Sequence, residues 1–155
     1  MTTESAAPSL PARRAVTLSP ALRQHRCDVA RNALANGLPL NVDAITVILA
    51  TKSMESAAEG RPFTRWTGRG VVAFLWGTVL EWCAGQGVAT PSNVAESLWT
   101  YLTYLFEEGE LASGSSPLST LREALVENAG VTRSGRSRHP AGSRRRAEVR
   151  SLGRA

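Results

Sequence analysis

The chain has 155 residues, 43% of them hydrophobic, and a formal net charge of +5 at pH 7. This length fits one globular domain with flanking segments, and the hydrophobic content excludes a chain too polar to build a core. The charge is unevenly spread: residues 131–155 hold eight arginines and one acid, whereas residues 1–130 hold ten basic and twelve acidic residues. A weakly acidic body with a strongly basic tail indicates a polyanionic partner, most often nucleic acid.

Cysteine content and hydropathy exclude several classes of protein. Cys27 and Cys83 are too few for a disulfide framework, so we expect reduced thiols and a cytoplasmic protein. The N-terminal 16 residues lack the apolar centre of a signal peptide. The longest uncharged apolar run, residues 71–80, is far shorter than the roughly 20 residues of a membrane span, so we expect no membrane contact.

Residues 1–18 are rich in Ala, Ser, Thr and Pro and show no apolar period, which predicts a disordered arm. Residues 19–130 predict an all-α domain, a small bundle of four to five helices. Residues 131–155 offer almost nothing to bury, which predicts a disordered, arginine-rich tail.

The first predicted helix opens with Ser-Pro at residues 19–20 and closes with Asn-Gly at residues 36–37. Its apolar stripe comprises Val29, Ala30, Ala33 and Leu34. The second predicted helix covers about residues 41–58. Its run 45–49 is mostly apolar and would equally suit a buried strand. Because we find no other strand candidate to pair with it, we predict a helix.

The third predicted helix, about residues 68–84, is apolar on most sides. One stripe comprises Val72, Leu75, Trp76 and Val79, and another comprises Val71, Phe74, Thr78 and Trp82. A helix that is apolar all round is buried, so we predict that this one forms the centre of the domain. All four tryptophans lie between residues 66 and 99, which places the core in the same region.

The fourth and fifth predicted helices share one pattern of end signals. The fourth opens with Thr90-Pro91 and closes at Gly109, and the fifth opens with Ser116-Pro117 and closes at Gly130. The fourth has the clearest amphipathic spacing, with inward positions at Val94, Leu98, Tyr101, Leu102 and Leu105. The inward positions of the fifth are Leu118, Leu121 and Leu125.

The tail is the first candidate for binding nucleic acid. Arginines there would contact phosphates, which adds affinity without sequence preference and weakens with salt. The alternative is a tail that only solubilises the protein. The tail arginines are Arg133, Arg136, Arg138, Arg144, Arg145, Arg146, Arg150 and Arg154.

A second candidate is the arginine loop, residues 60–70. Arg61, Arg65 and Arg69 recur at every fourth residue, with Phe63 and Trp66 between them. The loop leads into the start of the third helix, where backbone N–H groups favour an anion, as in a phosphate clamp. The alternative, which we favour, is that the two aromatic residues hold the loop to the core while the arginines face water.

We expect no metal, no cofactor and no catalysis, because phosphate-loop, nucleophile-elbow and metal-binding histidine motifs are all missing. Two cysteines and two histidines do not supply a zinc site. We expect Cys83 to be a small buried hydrophobic residue, and a Cys27–His25 nucleophile pair lacks an orienting third group. Three acids are better read as a solvated helix end than as a catalytic pair, and they would attract the basic tail. They are Glu107, Glu108 and Glu110.

Residues 71–130 resemble the core-binding, SAM-like domain of tyrosine recombinases and phage integrases. The resemblance lies in Phe74-Leu75-Trp76 with Glu81 to Gly87, in Thr90 to Val94 with Tyr101 to Leu105, and in Ser119 to Arg122. It implies a helical module that clamps one face of a duplex. The recombinase catalytic domain is absent from this sequence, and the loop from Glu110 to Pro117 is longer than the family's usual turn.

These patterns together predict a non-catalytic nucleic-acid-binding or accessory protein of bacterial or phage type, with duplex DNA as the expected partner. The tail, with Arg61, Arg65 and Arg69, would make the phosphate contacts. The alternative is a helical protein–protein interaction module that binds another protein or pairs with a second copy, and whose tail is merely solubilising.

Overall fold

The computed structural model describes residues 16–132 and residue 135. This part of the chain forms five helices and no β-strand, which confirms the predicted all-α bundle. Four helices are regular: α1 (Pro20–Ala35), α2 (Val42–Glu59), α5 (Val94–Glu107) and α6 (Leu118–Ala129). The remaining one is continuous and consists of α3 (Gly68–Ala73), a π-helical turn (Phe74–Thr78) and α4 (Val79–Gln86).

The packed body extends beyond residues 19–130 at both ends. Leu18 and Val131 are buried in the hydrophobic core, and Val16 packs against it. The predicted disorder of residues 1–15 and of most of the tail concerns segments that lie outside the described residues. The body that must be kept intact in any variant therefore reaches from Val16 to at least Val131.

The first helix begins as its sequence indicates. The Ser19 hydroxyl accepts a hydrogen bond from the Leu22 N–H at 3.2 Å, and proline occupies the first turn. Val29 and Ala33 are buried, but Leu34 is 85% exposed, so its predicted place in the apolar stripe is wrong. The buried stripe of α1 is narrow, and Leu34 lies about 100° around the helix from Ala33.

The centre of the domain is the pair α2 and α5, which pack against each other. All residues in 44–52 of α2 and in 97–105 of α5 are buried. The ambiguous run 45–49 is therefore helical, and it lacks a polar face because neighbours cover every side of it. Helix α1 packs on both central helices, α4 packs on α2, and α6 packs on α5 and α3.

The third predicted helix is not the centre of the domain, and its register differs from the predicted one. Val71, Phe74, Val79 and Cys83 are its buried residues. The step from Phe74 to Val79 is five residues because the π-helical turn holds one residue more than an α-helical turn. Thr78 and Trp82, which a regular helix would bury, are consequently turned toward the surface, and Trp82 Nε1 lies 3.1 Å from Met54 Sδ.

The predicted starts of the last two helices are wrong by one to three residues. Helix α5 begins at Val94, after Asn93 in a left-handed conformation with φ of 61°, so Thr90-Pro91 precedes it as loop. Helix α6 begins at Leu118, and the Ser116 hydroxyl accepts a hydrogen bond from the Gly68 N–H at 3.1 Å instead of capping its own helix. A tertiary partner has replaced the local cap.

Deleting Gly77 should be tolerated, because the deletion removes the extra residue of the π-helical turn. Val79 and Cys83 then follow Phe74 at regular α-helical spacing and stay in the core. We expect cooperative unfolding in urea, followed by far-UV circular dichroism, with a free energy of unfolding within about 1 kcal/mol of wild type, since the deletion also removes a helical glycine.

The matched control is deletion of Ala50, a small residue inside the regular helix α2. That deletion rotates all later residues of α2 by about 100° and should unfold the protein. If both deletion variants unfold alike, the register account of the π-helical turn is wrong.

Candidate nucleic-acid interface

The arginine loop is fastened to the segment between α5 and α6. The Ser116 N–H donates to the Trp66 carbonyl at 2.8 Å, and the Ala112 N–H donates to the Thr64 carbonyl at 3.2 Å. The Trp66 N–H in turn donates to the Ser115 hydroxyl at 3.2 Å. These bonds fix the course of the loop backbone over the end of the bundle.

Trp66 anchors the loop in the core and is only 1% exposed. Its ring meets Phe74 edge to face, with 5.1 Å between centroids, and the ammonium group of Lys52 lies 4.4 Å from its ring centroid. Lys52 is itself buried and pairs with Glu55 at 3.2 Å. A ring enclosed in this way is not available to stack on a base.

The three loop arginines have different surroundings. Arg61 is exposed just after the end of α2. Arg65 is half-buried, and its Nε would lie 3.1 Å from a Cβ atom added at Gly114. Arg69 is exposed and lines a groove between α3 and α6 together with Glu123 and Glu127.

The start of α3 does not match the predicted phosphate clamp. The Gly68 N–H donates to the Ser116 hydroxyl and the Gly70 N–H donates to the Thr67 hydroxyl at 3.0 Å. Two donors of the first turn are thus already bonded to side chains of the protein. In this region the groups left to contact a phosphate are the arginine side chains of the loop, rather than its backbone N–H groups.

A polar cluster around His25 was not foreseen from the sequence. His25 Nε2 lies 3.0 Å from the Tyr101 hydroxyl oxygen, and Nδ1 lies 3.9 Å from a carboxylate oxygen of Glu110. The imidazole ring also meets Phe63, Tyr101 and Tyr104 edge to face. The cluster joins α1, α5, the arginine loop and the segment after α5, which makes it a structural junction.

Burial determines the chemistry of the Tyr101 hydroxyl. The side chain is fully buried, and this raises the pKa of Tyr101 well above its ordinary value, with a further contribution from the negative charge of Glu110. The hydroxyl therefore stays protonated and keeps its hydrogen bond to His25. Nothing in the sequence spacing of residues 25, 101 and 110 signals their contact, since they lie on separate elements.

The acids at the end of α5 face water as predicted. Glu107 and Glu108 are exposed, and the Glu110 side chain is 43% exposed beside His25. Their predicted attraction for the tail involves tail residues outside the described part of the chain. The three acids give this end of the bundle a negative surface.

The two thiols differ in environment. Cys83 is buried in the core, as predicted, and burial raises the pKa of its thiol. Cys27 is exposed. Among residues 16–132, no group of three or more His, Cys, Asp or Glu side chains is placed to hold a metal ion.

The root of the tail is attached to the body. Val131 is fully buried, and Gly135 packs so tightly on the Trp99 ring that an added Cβ atom would lie 2.8 Å from Cδ1. The guanidinium of Arg122 covers the same ring at 5.0 Å. All the predicted phosphate-binding arginines of the tail lie outside the described residues; they are Arg133, Arg136, Arg138, Arg144, Arg145, Arg146 and Arg150, together with Arg154.

The body itself is acidic. Residues 16–132 hold eight basic and eleven acidic side chains. At least four of the basic ones bond inside the protein: Lys52 to Glu55, Arg31 to Asp28, Arg26 to the Thr46 hydroxyl, and Arg122 to the Thr103 hydroxyl. The described surface therefore lacks the broad basic face with which a rigid domain grips a duplex.

No protein-family model matches the chain, and no curated protein and no solved structure is significantly similar to it. Within residues 16–132 no helix combines the length and the apolar character needed to cross a bilayer.

Replacing Tyr101 by Phe should change how stability depends on alkaline pH. Because the pKa of Tyr101 in the folded protein lies above its ordinary value of 10.0, its contribution is complete below pH 10.0 and is lost as the pH rises further. The loss is about 1.4 kcal/mol per pH unit. At neutral pH the variant should be about 1 kcal/mol less stable, since the bond to His25 is missing.

Urea denaturation of both proteins at neutral pH and at two values above 10 measures this difference. We expect the gap between Tyr101→Phe and wild type to shrink or reverse at alkaline pH. Parallel stability curves would mean that Tyr101 ionises as freely in the folded protein as in the unfolded chain.

Replacing Gly135 by Ala should loosen the root of the tail. The glycine has φ of 80°, and the new Cβ atom would meet the Trp99 ring at 2.8 Å. The strained conformation alone costs about 1–3 kcal/mol, and the clash adds to it. The control is Gly130→Ala, where φ is 65° but a Cβ atom meets nothing within 4 Å.

Urea denaturation followed by tryptophan fluorescence compares the two variants. We expect Gly135→Ala to be the less stable one and to alter the emission of the folded state, because Trp99 must move. Equal stabilities and unchanged emission would show that Gly135 does not pack on Trp99 in solution.

Proposed function

We propose that this protein is a non-catalytic, cytoplasmic nucleic-acid-binding protein that contacts the phosphates of duplex DNA through its arginine-rich tail. The observation that carries the proposal is the separation of charge. The last 25 residues hold eight arginines and one acid, whereas the body is acidic. Such a tail releases counterions from a polyanion, and this favours association with little regard to sequence.

The distribution of the body's cations supports a binding role for the tail rather than for a helical face. Several basic side chains are used in internal contacts, including Lys52 on Trp66 and Arg122 on Trp99. A duplex lying flat on the bundle would also meet the exposed acids at the end of α5. Attraction of the polyanion therefore has to come mainly from residues after Gly135.

The arginine loop adds a smaller contribution in this proposal. Arg61 and Arg65 extend from a loop whose backbone is fixed by bonds to residues 112, 115 and 116, so the loop backbone requires little ordering on binding. We leave Arg69 out of the phosphate contacts, because it shares its groove with Glu123 and Glu127, which repel a phosphate.

A relation to the core-binding domains of recombinases is part of the same proposal. Such a relation implies a bacterial or phage accessory protein that binds DNA without cutting it. The acidic surface of this body means that any clamp on a duplex depends on the tail for its affinity.

The test is fluorescence anisotropy with a labelled duplex of random sequence across a salt series. It compares the full chain with a full-length variant in which the seven arginines after Gly135 are changed to glutamine. Truncation at residue 130 is unsuitable, because it removes the buried Val131. We expect tight binding at low salt with a steep salt slope for wild type, and loss of binding for the variant.

Two double variants match each other in charge and isolate the tail. Arg145→Gln with Arg146→Gln should reduce the salt slope by about 0.9 for each phosphate that is no longer neutralised. Arg23→Gln with Arg31→Gln, on the exposed side of α1, should leave the slope unchanged. The proposal fails if wild type does not bind the duplex at low salt, or if the α1 pair lowers affinity as much as the tail pair does.

A further inference from the structure

Two large apolar side chains stand exposed on the helix that contains the π-helical turn. Trp76 is 61% exposed and Leu80 is 42% exposed. Trp76 lies four residues after Val72, and Leu80 lies four residues after Trp76. The two side chains therefore continue the side of the helix that α6 covers near the start of α3. Helix α6 packs against α3, and residues from Thr120 to Asn128 of α6 line the same groove as Ala73. Trp76 and Leu80 are left uncovered beyond that groove.

The groove that precedes these two residues has a complementary character. It lies between α3 and α6, has a volume of about 540 Å³, and includes the apolar side chains of Val72, Ala73 and Ala124 in its lining. Arg69, Glu123 and Glu127 are on its rim. A projecting apolar ridge and an open apolar groove thus lie next to each other along one helix.

The charges on this helix are arranged in a self-complementary way. Arg69 and Glu81 are both exposed and are separated by twelve residues, which correspond to two α-helical turns and the wider π-helical turn. They therefore lie on the same side of the helix, at opposite ends of the segment that contains Trp76. An antiparallel copy of this segment would place each Arg69 opposite the Glu81 of its mate.

We propose that this surface pairs with a second copy of the chain in a twofold, antiparallel helix contact. The axis passes beside Leu75, midway between Arg69 and Glu81. Residues 76 and 80 of one copy then lie at the level of residues 74 and 70 of the other. Trp76 and Leu80 of each copy reach the groove between α3 and α6 of its mate, and both ridges become buried.

The backbone at the centre of this contact permits close approach. Gly77 faces Ala73 of the second copy across the axis, and a Cβ atom added at Gly77 would meet nothing within 4 Å in the single chain. A polyanion is a poorer occupant of the same surface, because Glu81 and Glu127 border it. The pairing is independent of the proposed DNA contact, which is made by residues of the tail.

The test is the molar mass of the full chain, measured by sedimentation equilibrium over a range of concentrations without nucleic acid. We expect a reversible dimer for wild type and a tenfold or greater weakening of the dimer for Trp76→Ala. Phe106→Ala removes an aromatic side chain of similar exposure from α5 and is the matched control, which should dimerise as wild type does.

Charge reversal tests the antiparallel geometry separately. Arg69→Glu should weaken the dimer, because the Glu81 of the mate then faces only acids, the new one together with Glu123 and Glu127 of the groove. The variant that combines Arg69→Glu with Glu81→Arg is its counterpart. The double variant restores opposite charges across the axis and should recover the dimer. A monomeric wild type overturns the proposal, and so does a dimer that Trp76→Ala leaves unchanged. Failure of the double variant to recover overturns the antiparallel arrangement.

Discussion

The structure depends on the contact between α2 and α5, because both helices are buried on every side along residues 44–52 and 97–105. Complete burial leaves the hydroxyls on these helices without water, so most of them bond to a nearby group, although the Thr51 hydroxyl has no partner among the described residues. The Thr46 hydroxyl accepts from Arg26 of α1, the Ser97 hydroxyl accepts from the Asn41 N–H, and the Thr100 hydroxyl donates to the Pro39 carbonyl. The hydrogen bonds made by these hydroxyls thus hold α1 and the connection between α1 and α2 in place.

The π-helical turn decides which side chains of the third helix reach this core. With one residue more than an α-helical turn, it directs Val79 and Cys83 inward and leaves Trp82 beside Met54 near the surface. The same turn contains Trp76, the exposed aromatic of the helix. An irregularity of one residue therefore separates a face that stabilises the monomer from a face that is available to a partner.

The sequence predicted those features of the fold that depend on local signals, and it failed where a tertiary contact takes the place of a local one. Ser19-Pro20 starts α1 as its cap chemistry predicts, and the leucines at 98, 102, 105, 121 and 125 are all buried. Ser116 carries the same cap signal, yet its hydroxyl bonds to the start of α3. No residue pattern marks the π-helical turn, so the sequence did not predict it. The contact of His25 with Tyr101 and Glu110 was missed because these residues are far apart in the chain. The prediction that an aromatic residue holds the arginine loop to the core is confirmed for Trp66, whose large indole ring is buried although arginines flank it in the sequence.

In the proposed function, the body provides the fold and the tail provides the positive charge that binds DNA. A cation that stabilises the fold, such as Lys52 between Trp66 and Glu55 or Arg122 over Trp99, has little freedom left to meet a phosphate. Seven of the proposed phosphate-binding arginines follow Gly135, whose packing on Trp99 gives them a defined starting point on the body. Two copies paired through Trp76 would carry two such tails, and the second tail would bind a duplex at a high effective concentration once the first has bound. Pairing of the bodies would therefore raise affinity for DNA although the bodies themselves need not touch it.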